Sequence, residues 1–206
     1  MSLRFPFILM MCFSMKQSIL AVVIAFCWVT AGQAQSIFNL KTGVDTWSLQ
    51  DEKDVQEGSS HPGQFFGFDV FIEKNRGLFV PGFHYHRISI LNEDEKFDYS
   101  FNESHHVHYF TIPLTFGYKF LDFANWNMSA LAGGEINFFY DLDPNDVGLD
   151  DDMFYGVWTD LTGVLHTEFA SFITADVKYH YGLQPIINIR DDSKLSGWTL
   201  ALGIKF

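Results

Sequence analysis

Trp198-Thr-Leu-Ala-Leu-Gly-Ile-Lys-Phe206 decides the fold. Trp198, Leu200, Leu202, Ile204 and Phe206 fall on one side, and Thr199, Ala201, Gly203 and Lys205 on the other. Successive side chains of a strand point to opposite faces, so this period of two specifies a strand with one strongly apolar face. The preceding segment repeats the pattern. Ile173, Ala175, Val177, Tyr179, Tyr181 and Leu183 alternate with Thr174, Asp176, Lys178, His180 and Gly182. Phe110, Ile112, Leu114, Phe116, Tyr118 and Phe120 mark another strand, and Trp126, Met128, Ala130, Ala132, Ile136 and Phe138 a further one. Four looser strands are predicted near residues 36–49, 63–73, 77–90 and 154–169, the one at 77–90 compatible with either phase.

Eight strands of this length match the ~9–11 residues that a tilted strand needs to cross hydrocarbon. Their connections alternate. Long segments run from Gln50 to Pro62, Leu91 to His106, Asp141 to Asp152 and Ile186 to Ser196, while the turns at Lys74-Asn75-Arg76, Asp122-Phe123-Ala124 and Ala170-Ser171 are tight. The long segments hold 17 acidic and 4 basic residues, so nearly all the negative charge lies at one end. Trp126, Tyr140, Tyr155 and Trp198 recur near strand ends, as interfacial aromatics do. The expectation is an all-β, eight-stranded antiparallel up-and-down transmembrane β-barrel. Its long loops should be extracellular and both mature termini periplasmic. A soluble barrel would instead turn its apolar face inward.

The first 34 residues read as a secretory signal. Lys16 precedes the apolar run from Ser18 to Val29, and Ala31-Gly32-Gln33-Ala34 offers a small-residue cleavage site. Met15 is the expected translation start, and residues 35–206 form the barrel domain. Cys12 and Cys27 both lie in the signal, so the barrel has no thiol. Without the signal, 11 Lys and Arg face 25 Asp and Glu, a net charge of −14 that argues against nucleic acid as a partner. The partners expected instead are outer-membrane lipids and a protein at the acidic loops.

On the less apolar side fall Asp45, Asp69, Glu135, Asp160, Glu168, Asp176, Lys41, Lys178, His166 and His180. Buried charge is costly unless paired. Asp176 or Glu168 is therefore expected to pair with Lys178 or Lys41 across the lumen, with Leu131, Phe139 and Trp158 filling space beside them.

Tyr109-Phe-Thr-Ile-Pro-Leu-Thr-Phe-Gly-Tyr-Lys-Phe120 resembles a strand of the PorT-like family of small outer-membrane β-barrel proteins. Asn39-Leu-Lys-Thr-Gly-Val-Asp45 and Phe79-Val-Pro-Gly-Phe83 are similar to that family's first and third strands. Thr111 and Gly117 depart from it, where the family prefers Glu and Lys. The resemblance implies fold and location, and little about activity. A terminal Phe206 is similar to the signal read by the barrel-assembly machinery, which is the partner expected for the last strand.

Three constellations could carry chemistry. Asp141, Asp143, Asn145 and Asp152 supply oxygens at calcium-loop spacing. Asp146 stands where that loop needs Gly, and Leu149 fills a ligand position, so a solvated acidic loop is expected. His84, His86, His105, His106 and His108 flank the second long segment and would meet across one hairpin, which suits Zn²⁺ or Cu²⁺ if the phases agree. His166, Glu168 and His180 come nearest to a hydrolase set, but no serine sits beside them. No cofactor, resident metal or enzymatic activity is expected. The reading is a structural or interaction barrel, with an accessory subunit of a secretion or envelope machine, a lipid-modifying hydrolase and a small pore as alternatives.

Overall fold

The computed structural model describes residues 35–50, 62–89, 106–144, 151–188 and 194–206. The expected signal segment 1–34 lies outside them, as do His105 and Asn145. Eight strands close into one barrel in sequence order: β1 (Gln35–Gln50), β2 (Gly63–Lys74), β3 (Gly77–Ser89), β4 (His106–Phe123), β5 (Trp126–Leu142), β6 (Val157–Phe169), β7 (Ile173–Pro185) and β8 (Lys194–Lys205). Every neighbouring pair is antiparallel, and β1 closes on β8 from Asn39↔Lys205 to Gln50↔Lys194. Closure removes every sheet edge, which hydrocarbon requires because it offers no water to free backbone groups. No helix among the described residues is long and apolar enough to cross a membrane.

The alternation predicted for β4, β5, β7 and β8 is the one observed. Leu202, Phe116, Leu200 and Ile204 are more than half exposed on the outer wall, whereas Asp45, Glu135, Asp160 and His180 are essentially inaccessible inside. This is the inverse of a soluble barrel. Phe123, Trp126, Phe169 and Phe172 ring the turn end, and Tyr140, Tyr181 and Trp198 ring the outer wall toward the loops.

One open point is resolved and two details differ from the sequence expectation. The open phase of β3 resolves with Leu78, Val80, His84, His86 and Ile88 buried and Phe83 outside. The second tight turn lies at Ala124-Asn125, two residues later than expected, because β4 and β5 pair out to Phe123↔Trp126. β6 starts at Val157 rather than residue 154, since Asp151–Met153 form a 3₁₀ turn and Phe154 bridges to Ile187.

The other two turns use left-handed backbone. Asn75 has φ 59°, which a short amide side chain tolerates, while Ala170 (51°) and Ser171 (65°) adopt it without that help. Proline interrupts two ladders. β2 and β3 pair at Asp69↔Gly82 and resume at Ile72↔Phe79, with Pro81 in the gap, and β3 and β4 pair at Pro81↔Leu114 and resume at His84↔Thr111, with Pro113 in the gap. Both prolines lack an N–H, and both lie in the segments that carry the family resemblance.

Candidate functional site

The lumen is layered along the barrel axis. Nearest the turns, Phe71, Leu78, Val80 and Leu131 form an apolar plug, and Lys205 pairs with Glu168 beside it. The Lys205 ammonium lies 5.2 Å from the Phe71 ring centroid. The next layer is centred on Lys41, whose ammonium bridges Asp69 and Asp176. Each carboxylate also meets a histidine, Asp69 with His84 Nε2 at 2.9 Å and Asp176 with His166 Nδ1 at 2.5 Å. Gly82 makes room for this cluster, because a Cβ there would stand 2.1 Å from Asp69 Oδ1.

Above it, Glu135 accepts from Lys178 at 2.9 Å and meets His180 Nδ1 at 2.6 Å. The chain continues from His180 Nε2 to Thr199 at 2.8 Å, from Thr199 to Asp45 at 2.6 Å, and from Asp45 to His86 at 2.7 Å. On the opposite wall Thr111 donates to Asn137 at 2.6 Å, and Asn137 donates to Asp160 at 2.7 Å. Nearest the loops, Trp47, Ile88, Tyr109, Trp158, Ile186 and Leu195 pack into an aromatic-rich cap. A lumenal cavity between these layers measures about 20 Å³, lined by Lys41, His84, Pro113 and Glu135 among others. That is room for roughly one water.

All ten charged and histidine side chains expected in the lumen are buried there. Lys41–Asp176 is one of the pairings anticipated. The other ions pair differently: Lys178 takes Glu135, and Glu168 takes Lys205, which the alternation set on the inner face but which was not among the expected partners. His84 and His86 face the lumen, whereas His106 and His108 lie outside at the loop-end rim. The barrel wall thus divides the histidines that one hairpin was expected to gather. Of the calcium-loop residues, Asp141 is exposed one residue before the end of β5, Asp152 belongs to the 3₁₀ turn, and Asp143 is engaged by rim side chains.

Those rim contacts form a compact cluster. Asp143 Oδ1 meets His108 Nε2 at 2.9 Å, and Oδ2 accepts from Arg87 at 3.1 Å and lies 3.2 Å from His106 Nδ1. The Tyr85 hydroxyl meets His108 Nδ1 at 2.5 Å. Partial burial raises the Asp143 carboxyl, but the hydrogen bonds from His108 and Arg87 outweigh it and hold it below the usual carboxylate range.

Two groupings resemble reactive sites. Glu135, Asp160 and His180 bring ligand atoms within 4.8 Å of one another. Both Glu135 oxygens and both His180 nitrogens already have protein partners, and the Lys178 ammonium stands against Glu135, so a cation would have to break this network. The second corrects the expectation that no serine accompanies the histidines: strand register sets Ser129 directly across from His166, which in turn meets Asp176. His166 Nε2 has no hydrogen-bond partner, so the base-to-nucleophile bond is not made. Only the register exposes Ser129, which is 37 residues away in sequence.

A closed eight-stranded barrel with an apolar exterior, aromatic rings at both ends and a paired polar lumen is the architecture of a transmembrane β-barrel. The family model described as outer membrane protein beta-barrel domain matches residues 33–188, and the chain belongs to that family. It is an integral outer-membrane protein. No curated protein matches the chain. Among solved structures, Neisserial surface protein A is similar at 13% identity and TM-score 0.53, over 82% of this chain and 97% of that one. The N-terminal β-barrel domain of Pseudomonas aeruginosa OprF is similar at 13% identity and TM-score 0.46, over 84% and 100%. The attachment invasion locus protein Ail of Yersinia pestis is similar at 12% and 0.44, over 84% and 99%. At these identities the likeness concerns the fold.

Proposed function

We propose that this barrel is a non-conducting interaction protein, which holds four loops, three of them strongly acidic, at the cell exterior and keeps its termini in the periplasm. The observation that carries the reading is the filled lumen. A cavity of about 20 Å³ among paired charges passes no solute, so what the molecule offers lies outside the barrel. The loop-bearing segments carry 17 of the chain's 25 acidic residues, a concentration suited to a basic partner or to divalent cations bridging to neighbouring anionic lipid. Within its family, the PorT-like branch is the proposed position, on the strength of the segments Tyr109–Phe120 and Phe79–Phe83. Phe206 is proposed as the contact with the barrel-assembly machinery.

The test is affinity capture from solubilised outer membrane, comparing the wild type with a variant whose Asp and Glu in 51–57 and 93–103 are changed to Asn and Gln. A partner held by the wild type and lost from the variant supports the reading. Stoichiometric partners that persist in the variant would move the protein to an accessory subunit of a larger machine. Protease treatment of intact cells should cut the loops and spare a tag at the C-terminus.

A further inference from the structure

The outer wall is not uniformly convex. Across β3, β2, β1, β8 and β7, one row of register partners runs Arg87–Gln64–Val44–Leu200–Val177, and the next runs Tyr85–Phe66–Thr42–Leu202–Ala175. These two rows line a groove of about 780 Å³. β1 contributes the small side chains Thr42 and Val44 as a low floor, between Phe66 on one side and Leu200 and Leu202 on the other.

Strands in a closed barrel tilt by about 35–45°, so a row perpendicular to them descends obliquely through the membrane. The register shows the descent. Arg87 is two residues from the loop end of β3, whereas Val177, at the other end of its row, is four residues from the turn end of β7. Five strands spaced roughly 4.8 Å apart give a groove about 19 Å long, comparable with one leaflet of a hydrocarbon core ~30 Å thick.

The two ends differ in chemistry. Val177, Leu200 and Leu202 make the lower end apolar, and Arg87 stands at the top with its side chain 44% exposed. Around Arg87, His106 and His108 gather on the Asp143 carboxylate, and the Tyr85 hydroxyl meets His108. This rim already stabilises one oxyanion, and a guanidinium is suited to binding a phosphate through paired N–H groups.

We propose that this groove seats one chain of an anionic, phosphate-bearing lipid of the loop-side leaflet, with the headgroup phosphate at Arg87. A membrane face is covered by lipid, and the charge at the top selects which lipid. Asp143 pairs with Arg87 and the exposed Asp141 lies across from His108, so the trough supplies most of the affinity, and Arg87 gives the preference for an anionic headgroup by sharing its N–H groups between Asp143 and the phosphate. The seat lies on the wall rather than on the acidic loops and stands independently of any protein partner.

Native mass spectrometry of the detergent-solubilised full chain, loaded with lipid A or with phosphatidylcholine, tests this. Wild type should retain one lipid A and prefer it to phosphatidylcholine. Arg87→Gln should lose that preference by roughly tenfold, the scale of one charge-assisted hydrogen bond. Thr42→Phe, which fills the trough without touching the rim, should reduce retention of both lipids. Heat-dependent gel mobility confirms that each variant is folded. Equal preference in wild type and Arg87→Gln, unchanged retention in Thr42→Phe, or displacement of the lipid by millimolar inorganic phosphate would overturn the proposal.

Discussion

Lys41 is the residue on which the lumen depends most directly, because one ammonium holds two carboxylates that would otherwise face each other unscreened. Removing one partner of a buried ion pair leaves an uncompensated charge and costs about 3–5 kcal/mol. Lys41→Met is therefore expected to destabilise the barrel by at least that range in urea unfolding from lipid vesicles. A loss below about 1 kcal/mol would show that the Asp69 and Asp176 carboxylates are not charged together. Asp143 offers a milder test at the rim. Its folded carboxyl is held below the usual range, so its stabilising contribution is present above the unfolded carboxylate value and is lost as pH falls through the folded one. Wild type and Asp143→Asn should differ in heat-dependent gel mobility at neutral pH and converge in acid. A constant difference across the acid range would contradict the linkage.

Each strand presents two environments one residue apart, and β8 shows the contrast most clearly. Leu202 is 65% exposed to the lipid side, whereas neighbouring Ala201 is buried in the lumen. A charge on the lipid face near mid-membrane costs about 2–4 kcal/mol for a basic residue and less for an acidic one. Leu202→Asp should reduce outer-membrane insertion, read as the folded fraction in membrane extracts, while Ala201→Ser should insert normally. Equal tolerance would mean that the alternation does not report membrane exposure. Element identity was legible where the outward residues are uniformly bulky, as in β4, β7 and β8. It was ambiguous in β3, whose His84, Tyr85, His86 and Arg87 are all polar or amphipathic, so side-chain chemistry alone could not distinguish the faces.

For the whole molecule the expected consequence is impermeability. Eight strands enclose an interior that side chains fill, whereas aqueous channels appear in barrels of about 16 strands. Here the aromatic cap of Trp47, Tyr109 and Trp158, the charged middle layers and the Phe71 plug follow one another along the axis. Folded protein in planar bilayers should give no stable open conductance at neutral pH. A reproducible, size-selective current, abolished in an Asp160→Asn variant that still folds, would make the lumen a pathway and displace the interaction reading.

The sequence by itself determined that the chain is an eight-stranded barrel with its apolar face outward, because a period of two is local and can be read from residues such as Trp198 to Phe206 without knowing what they touch. It also placed Asp45, Glu135, Asp160 and Asp176 on the inner face for the same reason. Only the tertiary structure decided which of these groups meet. Lys41 and Asp176 are 135 residues apart, and Lys205 and Glu168 are 37 apart. Such pairs are set by the register between strands, which depends on barrel closure and tilt as a whole. The separation of His84 and His86 from His106 and His108, the position of Ser129 opposite His166, and the oblique groove from Arg87 to Ala175 have that same origin. Alternation belongs to one strand, whereas a lumen or a groove belongs to all the strands that enclose it.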